Sequence, residues 1–242
     1  MACMYAGICL AVLSVFPGVA MAGNGELRIS TDQYDGDFAV VGANILGRGK
    51  AVLIVRDGRI EQISSAAAED SITIVEAKGR YLAPAFIDSH VHLAYRFSPS
   101  ILARGGISAA VDLAAPVSYL SKNLGPLRTI LSGPMITAKK GYPTQSWGTD
   151  GYGLEVSGDD AARTAVDSLY YMGARVIKIP VGDATGDGAL SMAKNPSRLA
   201  DVEIKAIVDR AHFHGMYVVA HALNDIDVLR AAVAGVDALA HT

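Results

Sequence analysis

The fold of this chain is decided by the stretch Phe86-Ile87-Asp88-Ser89-His90-Val91-His92, in which an apolar run leads into two histidines. Because successive side chains of a β-strand point to opposite faces, His90 and His92 are predicted to point the same way at a strand end. Two imidazoles at this spacing can hold one cation, and zinc and related metals favour nitrogen ligands. A pair of partly buried histidines without a metal is the alternative, and this spacing alone does not separate the two.

The composition is that of a folded protein of one or two domains. The chain has 242 residues, of which 51% are hydrophobic and 19% charged, and this is enough for a sizeable core. The formal net charge is −3, and Lys and Arg form no continuous run. We therefore predict that nucleic acid is not a partner.

Residues 1–22 have the features of a secretory signal peptide. No charged side chain precedes Gly23, residues 8–16 are an apolar centre, and Ala20-Met21-Ala22 has the small-x-small form of a cleavage site. Cleavage predicts an exported protein, periplasmic or secreted, with no stable membrane insertion. Because the start carries no Lys or Arg, an uncleaved anchor is the alternative, and the uncharged stretch is about long enough to span a bilayer.

Two architectures are predicted to follow the signal peptide. Short apolar runs separated by Gly- and Asp-containing turns fill residues 23–80 and predict a small antiparallel sheet domain. In residues 81–242, apolar strands alternate with amphipathic helices and Gly-rich joints, which is typical of a parallel sheet in an α/β protein. The strands predicted after His92 are 107–113, 127–136, 174–179, 216–220 and 236–240, and the predicted helices are 160–172, 202–214 and 226–234.

Three further residues lie at or near the ends of later predicted strands. Lys178 belongs to an apolar run, and His221 and His241 each follow one directly. A parallel barrel collects its ligands at the carboxyl ends of successive strands, so these residues together with His90 and His92 predict one metal site. A lysine inside an apolar strand is costly unless a partner pairs with it or its charge is changed.

Other candidate features carry less chemistry. Both cysteines precede residue 10, so a mature chain offers no thiolate as nucleophile or ligand. His212 and His214 fall on a predicted helix, where positions i and i+2 face different directions, and are predicted to lie at its surface. The loop 138–158 holds the only tryptophan, Trp147, and is either a ligand-binding loop at the strand ends or a solvated surface loop.

The motifs, taken in chain order, resemble those of the metal-dependent amidohydrolase superfamily. They are Asp57-Gly58-Arg59-Ile60, the stretch Leu82-Ala83-Pro84-Ala85-Phe86-Ile87-Asp88-Ser89-His90-Val91-His92, Ile177-Lys178-Ile179, Ala220-His221-Ala222 and Gly235-Val236-Asp237-Ala238-Leu239-Ala240-His241. The resemblance covers about residues 39–242. Its Ile-Lys-Ile element is similar to the prolidase-like and imidazolonepropionase-like branch, while Pro84-Ala85 departs from the usual Pro-Gly of the family.

The resemblance implies a TIM-like (β/α)8 barrel over residues 81–242, represented by its first six strands, beside a small β-sandwich domain over residues 23–80. It also implies two divalent cations, usually zinc. His90 and His92 would hold one metal, His221 and His241 the other, and Lys178, carbamylated by CO2, would bridge them. Since neutral imidazoles bring no negative charge to two dications, the carbamate supplies the anion. Metal-activated water would then cleave a carbon-nitrogen bond in a small-molecule or dipeptide substrate.

Three functions stay open at this stage. They are amide or dipeptide hydrolysis, lactone or ester hydrolysis at the same site, and a non-catalytic truncated barrel that binds a metal or a partner. In the family an Asp at the end of the eighth strand orients the attacking water. The sequence ends at Thr242, after the sixth predicted strand, so the chain is expected to be a fragment and its general base is not assigned. A homo-oligomer, in which the partners are further copies of the same chain, is also left open.

We expect the exported protein to begin at Gly23, because Ala20 and Ala22 provide the small residues that signal peptidase requires. N-terminal sequencing of the protein recovered from the periplasm or the medium measures this directly. Recovery of an intact Met1 start in a membrane fraction would instead support the uncleaved anchor.

Overall fold

The protein is a mixed α/β chain, and its computed structural model describes residues 14–16, 37–68, 71–95, 98–125, 127–182 and 197–241. The strands are β1 (Ser14–Phe16), β2 (Phe38–Ile45), β3 (Gly49–Arg56), β4 (Arg59–Ser64), β5 (Thr73–Glu76), β6 (Tyr81–Ala83), β7 (Phe86–Val91), β8 (Ile107–Asp112), β9 (Arg128–Leu131), β10 (Met135–Ala138), β11 (Gly153–Val156), β12 (Val176–Pro180), β13 (Tyr217–His221) and β14 (Ala238–His241). The helices are α1 (Pro99–Arg104), α2 (Asp159–Tyr171), α3 (Asp201–Phe213) and α4 (Asp225–Ala234), with a 3-10 helix at Val117–Tyr119. The predicted signal peptide lies outside the described residues except for β1.

The described chain forms two compact units. One holds the residues up to Ile87 together with Leu102–Ser108, and the other holds Asp88–Ile101 together with the residues from Ala109 onward. The predicted domain boundary at residue 80 stays a prediction. No helix in the described part of the chain is both long and apolar enough to span a membrane.

The first unit contains one six-stranded sheet. Its strands β2, β3 and β4 are antiparallel neighbours, whereas β5 and β6 pair with β2 in parallel and β1 pairs antiparallel with β6. The prediction of an antiparallel sheet is therefore wrong for β5 and β6. A hairpin would reverse the chain after β4, but the link to β5 crosses over, so both strands run in the same direction as β2.

The parallel strands form three ladders, whose orders are β7-β8-β9, β10-β11 and β12-β13-β14. Pairing is parallel between β8 and β9, between β10 and β11, and throughout the third ladder. The predicted α/β class is therefore confirmed. Within the described residues the three ladders are separate and close no barrel.

Two strand predictions between residues 127 and 158 need correction. The single strand predicted at 127–136 is two strands, β9 and β10, because Gly133 between them adopts a positive φ of 68° that other residues rarely adopt. The loop predicted at 138–158 contains β11, which pairs in register with β10. Its four residues are too few to show a period of two in the sequence.

Helices α2 and α3 supply the main core of the second unit. Their buried side chains include Val166, Leu169, Ile204 and Ile207, and these pack in one cluster with Ile177 of β12. The alternation of helix and strand in the sequence predicts this packing, because each amphipathic helix must cover one face of the parallel sheet. The cluster holds β12 and β13 in place.

Replacing Ile207 by Ala should lower the free energy of unfolding by about 2–5 kcal/mol, because the side chain is fully buried and leaves a cavity. Val202 lies on the same helix but is 67% exposed, so Val202→Ala is the matched control and should change stability by less than about 0.5 kcal/mol. Urea denaturation followed by circular dichroism gives both values. Equal losses in the two variants would contradict the packing of α3.

Candidate metal centre

The strand register brings the later predicted ligands to one edge of a ladder. His221 lies opposite His241 in the pairing of β13 with β14, and opposite Pro180 in the pairing of β12 with β13. Lys178 precedes Pro180 by two residues and so points to the same face of β12. Parallel strands in register end together, and this places three of the five predicted ligands side by side.

The four histidine rings lie in a continuous row. The ring centroids of His90 and His92 are 5.1 Å apart, and those of His90 and His241 are 5.4 Å apart with the rings nearly parallel. His221 and His241 are closer still, at 4.5 Å between centroids and 3.1 Å between Nδ1 of His221 and Nε2 of His241. The structure therefore brings together the two histidines from β7 and its end with the two from β13 and β14.

Lys178 lies beside this row in a fully buried strand. Its residue is 1% exposed, and its Nζ has no hydrogen-bond partner among the described residues. Burial lowers the pKa of Lys178 to about 7. Burial is also the main cause that lowers the pKa values of His90 and His92 to about 4, and the positive charge of Lys178 adds to it. At neutral pH the imidazoles are therefore unprotonated and have lone pairs available.

The donor atoms of the cluster are of a kind that a divalent metal can accept. Buried polar atoms are nearly always hydrogen-bonded, yet Nδ1 of His92 and Nζ of Lys178 are both buried without a partner among the described residues. No group of three His, Cys, Asp or Glu side chains in the described parts of the chain is arranged as a ready ligand set. The cluster instead offers imidazole nitrogens around one amine, and zinc and related cations accept nitrogen ligands of this kind.

Two curated proteins share part of their sequence with the chain. It is 32% identical over 90 residues to an adenine deaminase from Deinococcus radiodurans, and 38% identical over 61 residues to an N-acyl-D-aspartate deacylase from Alcaligenes xylosoxydans xylosoxydans. These matches cover 35% and 23% of this chain and 16% and 12% of the two relatives. No protein-family model matches the sequence.

Solved structures show the same fold over most of the chain. An amidohydrolase has a TM-score of 0.69 at 22% identity, a prolidase complexed with N-methylphosphonate-L-proline has 0.69 at 21%, and a Xaa-Pro dipeptidase with bound methionine has 0.66 at 19%. Each likeness covers 84% of this chain. The resemblance to the amidohydrolase superfamily is confirmed. The chain spans about 60% of the length of these amidohydrolase structures.

Asp112 is a buried residue next to the histidine cluster that the sequence did not predict. Its carboxylate accepts the backbone N–H of Leu93 at 2.7 Å and that of Ala114 at 3.1 Å. It therefore ties the end of β8 to the residue that follows His92. The sequence feature that could have identified Asp112 is its position inside the apolar run 107–115, where burying an unpaired carboxylate would cost free energy.

The loop 138–158 contributes aromatic rings to the surroundings of the histidine cluster. The ring of Trp147 lies 5.1 Å from that of His92, and the ring of Tyr142 stacks on His221 at 4.9 Å. The sequence left open whether this loop is a ligand-binding loop or a solvated surface loop. In the structure it lies beside the predicted ligands. The sequence reasoning noted Trp147 but missed Tyr142, because nothing in its local pattern marks it.

His212 and His214 lie away from the centre. His212 pairs with Asp237 at 2.9 Å, and His214 pairs with Asp167 at 2.6 Å. The expectation that they do not face each other agrees with these separate partners. The predicted surface position is wrong for His214, whose side chain is 7% exposed, because it packs against Tyr170 of the neighbouring helix α2.

Asp112 should make stability fall as pH rises between about 4 and 6. Burial raises the pKa of its carboxyl from 3.8 to about 6, so within this window the folded state binds more protons than the unfolded state. The contribution is therefore complete below about pH 4 and is lost above about pH 6. In Asp112→Asn this part of the pH dependence should disappear.

The test is urea denaturation of the two proteins at several pH values from 4 to 7. The difference between their unfolding free energies isolates Asp112 from other titrating groups. A difference that stays constant across the window would show that Asp112 is ionised throughout.

Proposed function

We propose that this chain is part of a metal-dependent hydrolase that cleaves a carbon-nitrogen bond, either an amide or a dipeptide bond, in a small molecule. The observation that carries the proposal is the buried Nζ of Lys178, which has no hydrogen-bond partner among the described residues and whose charge adds to burial in lowering the pKa values of His90, His92 and His241. A buried amine without a partner is costly unless it serves a ligand or changes its charge. The cluster offers both possibilities.

In this proposal His90 and His92 would hold one divalent cation, His221 and His241 would hold a second, and Lys178, as a carbamate, would supply an anion shared by the two. Zinc is the metal we expect. When bound, the metals would lower the pKa of a water molecule and polarise the carbonyl of the substrate. The amino-acid residue that takes up the proton of this water is not assigned.

The surroundings of Lys178 support its carbamylation. The neutral amine would add to CO2, a nitrogen-carbon bond would form as one carbon-oxygen π bond of CO2 opens, and one proton would leave, so that a neutral amine becomes an anion. The five side chains of the cluster otherwise bring no negative charge, and two cations held by neutral imidazoles alone would repel each other. A lysine carbamate supplies the missing charge from inside the strand.

The names of the similar proteins support cleavage of a carbon-nitrogen bond. The similar proteins include an adenine deaminase, an N-acyl-D-aspartate deacylase, a prolidase and a Xaa-Pro dipeptidase. A lactone or ester hydrolase would use the same cluster, but none of these names favours it. We therefore propose amide or dipeptide hydrolysis.

We also propose the finer architecture. The three parallel ladders would belong to a TIM-like (β/α)8 barrel, and the six-stranded sheet to a small β-sandwich domain. The support is the likeness of fold to amidohydrolase structures over 84% of the chain. Export after removal of residues 1–22 completes the proposal, and it is supported by the uncharged N-terminal segment.

Lys178→Ala in the full-length protein should lose at least one metal per chain and nearly all hydrolysis, because the variant has no bridging anion. Lys178→Glu should keep part of the metal, since a carboxylate restores the charge at a shorter reach. Metal content by elemental analysis and turnover of a panel of dipeptides and N-acyl amino acids measure both effects. A short-chain acid such as propionate, with bicarbonate, should partly restore the alanine variant.

The matched control is Lys205→Ala, which removes a lysine that pairs with Asp209 on the exposed face of α3. This variant should keep its metal content and turnover. If Lys178→Ala keeps two metals and full activity, the bridging role is wrong. If the unmodified protein binds metal but hydrolyses nothing, the chain is a non-catalytic metal-binding protein.

A further inference from the structure

We propose that Trp147 and Tyr142 form an aromatic wall that selects substrates carrying a flat, uncharged ring next to the scissile carbon-nitrogen bond. The inference rests on the proposed function, because it assigns a substrate class to the same centre. It adds two specificity-determining residues to that centre, neither of which is among the proposed metal ligands.

The wall reaches both halves of the histidine row. The Trp147 ring lies 5.1 Å from the His92 ring at an interplanar angle of 41°, and the Tyr142 ring stacks on His221 at 4.9 Å and 27°. Nε1 of Trp147 donates a hydrogen bond of 2.8 Å to the hydroxyl of Tyr142. The two rings therefore act as one surface, and a group bound against it lies beside both proposed metal positions.

Further aromatic rings support the indole from behind. Trp147 contacts Tyr95 at 5.2 Å and Tyr152 at 5.5 Å between ring centroids. Tyr152 is 7% exposed and belongs to a buried cluster, whereas Trp147 and Tyr142 are only partly buried. The inner side of the wall is thus packed into the protein, and part of its outer side stays accessible to a ligand.

The loop that carries the wall is held firmly by its own hydrogen bonds. Oγ1 of Thr144 donates to the carbonyl of Gly141 at 2.7 Å, and Oγ of Ser146 donates to that of Pro143 at 3.1 Å. Next to Trp147, a Cβ added at Gly148 would lie 2.5 Å from Cγ of Pro143, so the backbone there is packed against the proline. The rings are therefore positioned before a substrate binds, which reduces the entropy cost of binding.

The chemistry of the wall favours a neutral ring. Aromatic pairs are most stable in stacked or edge-to-face arrangements with centroids about 4.5–7 Å apart, and both wall rings can offer such contacts. Aromatic faces also attract cations, but the two divalent metals proposed beside the wall would repel an ammonium group. A carboxylate laid flat against the rings would meet the negative faces of their π-systems, which disfavour an anion there.

The experiment compares two neutral ligands, N-acetyl-phenylalaninamide and N-acetyl-alaninamide, which differ only by a benzyl and a methyl group. Calorimetry on the chelator-treated protein measures binding without turnover. We expect the aromatic ligand to bind about tenfold more tightly, in line with the burial and stacking of one ring. Because Trp147 is the only tryptophan, its fluorescence should change with the aromatic ligand and much less with the other.

Variants test whether the wall causes this preference. Trp147→Ala should reduce the preference by at least about threefold, and Trp147→Phe should retain most of it, since a ring remains. Tyr142→Phe removes the hydrogen bond to the indole and should reduce the preference by about twofold. Tyr217→Phe is the matched control, because Tyr217 lies at the opposite end of the same strand as His221 and is 69% exposed.

The outcomes separate this inference from the proposed function. Selective binding without hydrolysis of any amide would support the wall and contradict the hydrolase. Hydrolysis in the metal-loaded protein with equal kcat/KM for the two amides, or equal binding in the chelated protein, would overturn the wall. If Trp147→Ala fails to fold, the Trp147→Phe and Tyr142→Phe variants still test the wall. Unchanged selectivity in the Tyr142→Phe protein would also overturn the wall.

Discussion

The burial of one lysine amine governs the organisation of the second unit. Lys178 lies within an entirely buried strand, and moving an ammonium group into such an environment costs several kcal/mol unless it is compensated. Burial lowers its pKa to about 7, so the amine is neutral in a large fraction of molecules near neutral pH. Burial and the charge of Lys178 also lower the pKa values of His90, His92 and His241. The result is a cluster of largely uncharged nitrogen atoms.

Strand register and helix packing keep this cluster together. The parallel pairing of β12, β13 and β14 sets Lys178, His221 and His241 near one edge, and the core beneath α2 and α3 prevents these strands from sliding. A slip of one residue in any strand would turn its ligand to the opposite face. The cost of losing core packing therefore also protects the geometry of the centre.

Two elements outside these strands complete the surroundings of the histidines. Asp112 accepts one hydrogen bond from the backbone N–H of Leu93, just beyond His92, and another from that of Ala114. Trp147 and Tyr142 cover His92 and His221 with aromatic rings. The strands thus set where the nitrogen donors lie. The aspartate and the loop set their orientation and what can approach them.

The sequence by itself determined the class of fold, the alternation of strands and helices, and the five residues of the centre, because strand periodicity and strand ends are local properties. It could not determine that β5 and β6 run parallel to β2, since the direction of a strand depends on how the chain crosses over. It also could not show that residues 127–136 break at Gly133, that His214 packs against Tyr170, or that Asp112 and Tyr142 face the centre. Those contacts join segments far apart in the chain or depend on backbone geometry, so only the tertiary structure decides them.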